Sequence, residues 1–372
     1  MDWQNRAAGE QAAAKDSVSA SNVSACTVAS LDPHYYGMGT CDHRSRSELY
    51  AAADVHTACA MPLISSAQTA LRGRTLMFIG DSLMAQTFSS AILLLARPWS
   101  LECDRSVANI YYQVISGQRG NSLWCARTPS PPAAQLCYAW ASDAGHFSAT
   151  PNATRPAQVL WDLIQRGLLH PEDVVLVNGG LHYLSQRGGG ELIASEVREL
   201  RDDLSSHGRL SRLRHVYWRP TLPQHFASST GAYSSIMSDV HLNRTHRPVE
   251  YPCRLVLAGA PPQVGMQLNQ QLVEDIIDTH SSRLQLIPHP VFGDVLADWR
   301  HHPGYMTNRQ GDGRVDCTHF CMPSPTLNWV VLSLLVEAVK SGGHSVDGSS
   351  RQRFPPLADC YSQARRAEVP GK

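Results

Sequence analysis

Thr75-Leu-Met-Phe-Ile-Gly-Asp-Ser-Leu-Met-Ala-Gln-Thr-Phe-Ser-Ser-Ala-Ile-Leu-Leu-Leu95 is the most informative stretch of this chain. Apolar and β-favouring residues run into Gly80-Asp81-Ser82, and an amphipathic run follows at once. The pattern predicts a buried strand, a tight turn and a helix whose first turn carries Ser82. Gly80 lets the backbone bend where a side chain would clash. Free N–H groups at the start of the helix would stabilise negative charge developing beside the Ser82 hydroxyl. The G-x-S-x-G elbow of α/β-hydrolases is absent, because Met84 stands where its second glycine would be. Taken alone, the turn has two readings: Asp81 and Ser82 as ordinary helix caps, or Ser82 as a nucleophile.

Working outward, 173–177, 214–218 and 284–287 read as further buried strands, and 108–115 as another. Helical patterns cover 156–169, 191–206, 264–281 and 327–340, with Gly188-Gly189-Gly190 as a hinge before the second of them. Strands alternating with helices imply an α/β fold, a parallel sheet with helices on both faces. In such sheets the site lies at the carboxyl ends of the strands, so Ser82, Asn178 and the turn 219–225 are expected to converge there. The expected organisation is a flexible N-terminus (1–25), a loop-rich, disulfide-tied flap (26–62), one catalytic domain (63–340) and a polar tail (341–372). Residues 221–253 read as a long polar excursion and 293–325 as irregular.

The 372 residues carry 32 Lys plus Arg against 32 Asp plus Glu, so no bulk field favours nucleic acid or an acidic membrane. No apolar run is long enough to span a bilayer. The chain has ten cysteines, none in a C-x-x-C pair, and three N-glycosylation sequons at Asn22, Asn152 and Asn243. Together they point to an oxidising, secretory compartment with most cysteines paired. Cys360 is a candidate to staple the tail back. Met1-Asp-Trp-Gln-Asn opens without a hydrophobic signal region, so the expectation is a luminal fragment of a longer chain.

The second half of the candidate site is Arg314-Val-Asp-Cys-Thr-His-Phe-Cys-Met-Pro323, just before the last helix. Asp316 and His319 are spaced so that the carboxylate can hold the imidazole, which can take a proton from a serine hydroxyl. Cys317 and Cys321 are too close for an unstrained ring between them, so each is expected to bond a distant cysteine. The alternatives are a zinc site from Cys317, His319 and Cys321, or a cystine-rich loop without chemistry. His182, after the turn Asn178-Gly-Gly, reads equally as a structural or a site residue.

Ile79-Gly-Asp-Ser82 and Asp316-Cys-Thr-His-Phe-Cys-Met-Pro323 resemble the paired signatures of the trichome-birefringence-like / PC-esterase family. Asp173-Val-Val-Leu-Val-Asn-Gly-Gly-Leu-His-Tyr183 and Val216-Tyr-Trp-Arg-Pro-Thr-Leu-Pro-Gln-His-Phe226 are similar to its two intermediate blocks, in the same order. The four cover roughly residues 60–340. The resemblance implies an SGNH-hydrolase-like (flavodoxin-like) three-layer fold with the disulfide-tied flap, and a polysaccharide O-acetyltransferase of the Golgi lumen or extracellular space. It implies a Ser82–His319–Asp316 triad, an acyl-serine intermediate, and an oxyanion hole from Asn178 and the Ser82 N–H. Asp81, Gly179, His182, Arg219 and His225 would lie toward substrate. The implied partners are an acyl donor, as co-substrate, and a glycan or polysaccharide acceptor, with no metal and no resident cofactor. The same triad would serve an O-acyl esterase, and the fold alone could serve as a non-catalytic glycan-binding or structural module. The chain departs from plant members after His225-Phe226, with Ala-Ser-Ser-Thr-Gly-Ala-Tyr233, and after Met322-Pro323, with Ser-Pro-Thr-Leu-Asn-Trp329.

Overall fold

The computed structural model describes residues 23–25, 46–104, 123–141, 155–179, 189–225, 253, 271–276, 283–287, 304–307, 313–342, 360 and 363. Eight strands form the main sheet: β1 (Val23–Ala25), β2 (Thr75–Gly80), β3 (Glu102–Asp104), β4 (Leu123–Arg127), β5 (Gln135–Trp140), β6 (Val174–Val177), β7 (His215–Trp218) and β8 (Leu284–Leu286). They lie in the order β1-β3-β4-β5-β2-β6-β7-β8. The strands expected from sequence at 75–79, 173–177, 214–218 and 284–287 are all present and all parallel. Counted by first appearance, the parallel strands β5-β2-β6-β7-β8 run 2-1-3-4-5, an order of doubly wound sheets. Connections change direction between β2 and β6, and it is at the carboxyl ends beside such a switch point that the sites of doubly wound sheets lie.

Side chains alternate across this sheet, as the period of two demands. Leu76, Phe78, Val174, Leu176 and Tyr217 face one core, with α1 (Arg46–Ala70), α2 (Ser82–Trp99) and α5 (Pro325–Ser341). Met77, Ile79, Val175, Val177, Val216 and Trp218 face the other, with α3 (Pro156–Gln165), α4 (Gly189–Leu204) and the helical stretch 271–276. Both faces are covered, which is why β2 and β6 read as continuous apolar runs.

Several expectations change. The sheet is mixed: β4 is antiparallel to β5, β3 to β4 and β1 to β3. Three strands the sequence reading lacks, β3, β4 and β5, lie within 97–158. They are short, and disulfide bonding of Cys125 to Cys137 joins β4 to β5 across a directly opposed pair. Over 46–62 the flap is helical, not loop. Ala60, Leu63, Ile64, Ala67 and Ala70 recur at helical spacing and are buried, and α1 packs along α5. That packing carries the helix through Pro62, which removes one backbone donor. Within 293–325, β9 (Gly304–Thr307) and β10 (Gly313–Asp316) form an antiparallel pair where irregular chain was expected. The glycines 189 and 190 begin α4 rather than preceding it. The strand expected at 108–115, the asparagines of the three sequons and most of 221–253 lie outside the described residues.

Cys59 is bonded to Cys360 and Cys253 to Cys317, and Cys103 and Cys321 are also disulfide-bonded. The tail is therefore tied back to α1. Among the described residues no cysteine is free, and no helix is long and apolar enough to cross a membrane.

Candidate active site

Asp81 caps α2: its Oδ1 accepts the Leu83 N–H at 3.0 Å, leaving Ser82 as the first helical residue. The cap is thus Asp81, and capping does not account for Ser82. Gly80 is required by crowding. A Cβ there would lie 2.5 Å from the Asn178 carbonyl oxygen and 2.9 Å from Met84 Cβ. The Asn178 N–H donates to the Ile79 carbonyl at 2.9 Å, so the ends of β2 and β6 are in direct contact beside Ser82.

Ser82 Oγ lies 2.8 Å from His319 Nε2, across 237 residues of sequence. Ser82 is 7% exposed, and His319 is half-buried. Among the described residues, His225, Gln224 and Gln86 hold the His319 loop. On one side the His225 N–H donates to the Cys317 carbonyl at 2.9 Å, and Gln224 Nε2 donates to Thr318 Oγ1 at 2.8 Å. On the other, Gln86 Nε2 donates to the Phe320 carbonyl at 2.8 Å, while its Oε1 accepts the Phe320 N–H at 3.1 Å. Gln86 sits one helical turn beyond Ser82, so the helix bearing Ser82 also grips the loop bearing His319. Leu83, Leu222, Phe320 and Leu327 form a small apolar cluster with this loop.

Asn178 is 1% exposed. Its Nδ2 donates to the Arg219 carbonyl at 2.9 Å, and its Oδ1 accepts from Arg219 Nη2 at 2.5 Å. Arg219 is fully buried, and its Nη1 donates to Thr87 Oγ1 at 3.2 Å. Burial pushes the guanidinium pKa down to about 10, opposed by attraction to the buried Asp81 carboxylate. It remains cationic at neutral pH.

The structure brings together Ser82, His319, Asn178, Asp81, Arg219, Gly179 and His225, all following strand ends or in the His319 loop. Asp81, Arg219 and His225 are buried. Gly179 is buried too, and its carbonyl accepts from Thr221 Oγ1 at 3.3 Å. Asp316 ends β10, three residues before His319, and its side chain lies outside the described residues, as does His182. The zinc alternative fails because the sulfurs of Cys317 and Cys321 are committed to disulfides. Among the described residues, no group of three His, Cys, Asp or Glu side chains is placed to hold a metal.

Sequence reading missed Gln86, Thr87 and Gln224. The available signal was polarity inside an apolar helix: Gln86 and Thr87 interrupt a run that is buried almost all round.

Comparison with protein-family models returns no match, and comparison with curated proteins returns none either. The chemistry of the site therefore rests on its own geometry and on the motif resemblance.

Proposed function

We propose that this chain is an SGNH-type acyl-transfer enzyme that moves an acetyl group through Ser82 onto a carbohydrate hydroxyl in the secretory pathway. The single observation that carries the reading is the 2.8 Å contact between Ser82 Oγ and His319 Nε2 at the start of a buried helix. A serine hydroxyl is a weak nucleophile until a base removes its proton.

In this reading Oγ attacks the donor's acyl carbon while Nε2 takes its proton. The bond from acyl carbon to leaving group then breaks, and the leaving group departs with that proton. In the second half-reaction the acceptor hydroxyl gives its proton to Nε2 and attacks the acyl-serine, restoring Ser82. Asp316 would hold the proton on Nδ1, and the Ser82 N–H with the Asn178 side chain would face the tetrahedral oxygen. The place of Ser82 at the switch point between β2 and β6 and the disulfides support a site of this type in an oxidising compartment. The acetyl group and the glycan come from the motif resemblance.

The test is intact-mass and peptide mass spectrometry after incubation with p-nitrophenyl acetate. A 1:1 acetyl adduct on Ser82 is expected, lost in Ser82→Ala with the thermal midpoint unchanged. Absence of an adduct, or one that survives the substitution, would sink the enzyme and leave a binding or structural module. Loss of the adduct to an added glycan, faster than to water alone, separates transferase from esterase.

A further inference from the structure

The clamp on Asn178 is made twice by one residue. A carboxamide can be turned over about its last torsion, exchanging its oxygen for its NH2 group at little intrinsic cost. Here the main-chain carbonyl of Arg219 can only accept, and its guanidinium can only donate. The first takes a proton of Nδ2 at 2.9 Å and the second gives one to Oδ1 at 2.5 Å. Overturned, the amide would set carbonyl against carbonyl and N–H against N–H.

Arg219 is itself held from both sides. Its N–H continues the β6–β7 pairing by donating to the Val177 carbonyl at 2.8 Å. Its Nη1 reaches Thr87, whose hydroxyl in turn donates to the Leu83 carbonyl at 2.8 Å. The guanidinium is thus braced against the helix that carries Ser82.

From this we infer that Arg219 is a positioning residue. It locks the Asn178 carboxamide with its amide nitrogen, never its oxygen, available to the acyl oxyanion, and it strengthens that donor with a buried positive charge. The inference rests on the acyl-transfer reading above. A charge-assisted hydrogen bond to Oδ1 draws electron density from the amide, so the remaining Nδ2 proton becomes a better donor. Arg219 is fully buried, so it serves the transition state through Asn178. Overturning the amide would place a partial negative charge where the oxyanion forms.

The experiment is a double-mutant cycle on full-length protein, reading the p-nitrophenol burst from p-nitrophenyl acetate as the Ser82 acylation rate. Asn178→Ala is expected to slow acylation by about a hundredfold, and Arg219→Met by a similar factor, both with KM unchanged. The double variant should be no slower than Asn178→Ala by more than about threefold, because Arg219 then has nothing left to aim. Arg219→Lys, which keeps the charge and loses the fork, should fold with a native melting midpoint and acylate about tenfold slower. If Arg219→Met does not fold, the cycle is run with Arg219→Lys. Multiplying penalties in the double variant, or an Arg219→Lys rate equal to the parent's, would overturn the inference alone. Absence of Ser82 acylation in the parent protein would overturn the acyl-transfer reading and the inference with it.

Discussion

His56 is buried in α1 with neither ring nitrogen hydrogen-bonded among the described residues, and desolvation pushes its pKa down to about 4 from 6.5. The folded protein therefore holds His56 neutral in a range where the unfolded chain binds a proton. Below pH 6.5 the unfolded state gains protons that the folded state refuses, so stability falls as pH falls and the loss is complete below about 4. The total is on the order of 3 kcal/mol. Urea unfolding at pH 7 and pH 4.5 should show this decline, and His56→Leu should flatten it. At pH 7 the same substitution should be neutral or stabilising, because two unpaired buried nitrogens are removed. An unchanged pH slope in His56→Leu would refute the assignment.

At the scale of elements, α2 does the most. Asp81 caps it, Ser82 opens it, Gln86 holds the His319 loop and Thr87 braces Arg219, all within two turns. The alternation of small, polar and large residues there is a set of separate contacts to three other segments. Gln86→Leu should remove both of its hydrogen bonds to the Phe320 backbone in a buried place, costing about 2–4 kcal/mol. It should also free His319 from its 2.8 Å contact with Ser82, slowing Ser82 acylation by about tenfold or more. Both effects are read on one sample by urea unfolding and the p-nitrophenol burst. Lost stability with undiminished acylation would mean that the other two contacts suffice to place the base.

At the scale of the whole molecule, the Cys253–Cys317 bond ties the site to a segment 64 residues earlier. Closing a loop of that length removes about 4 kcal/mol of unfolded-state entropy in the chain-entropy view. Cys317 stands two residues before His319, and its carbonyl is the acceptor for the His225 N–H. Cys253→Ser with Cys317→Ser should therefore lower the midpoint of urea unfolding and slow Ser82 acylation, while Cys59→Ser with Cys360→Ser should affect stability alone. Equal acylation in both paired variants would show that the disulfide near His319 does not organise the site.

Local pattern determined the four parallel strands and the helix after Gly80, while the pairing of Ser82 with His319 was implied by the motif resemblance. The strands and that helix depend on residues close in sequence: an apolar run, a glycine at a crowded turn, a carboxylate placed to cap. The helix from 46 to 70 was hidden because its apolar stripe is built largely from alanine, which signals burial weakly. The strands β3, β4 and β5 were hidden because three to six residues carry little periodicity. Only tertiary structure decided that Gln86 reads the backbone of Phe320 and that Arg219 is a buried cation gripping Asn178. Both depend on partners 234 and 41 residues away, a distance across which no local spacing rule acts. The sheet supplies that proximity by setting β2, β6 and β7 side by side with their carboxyl ends together.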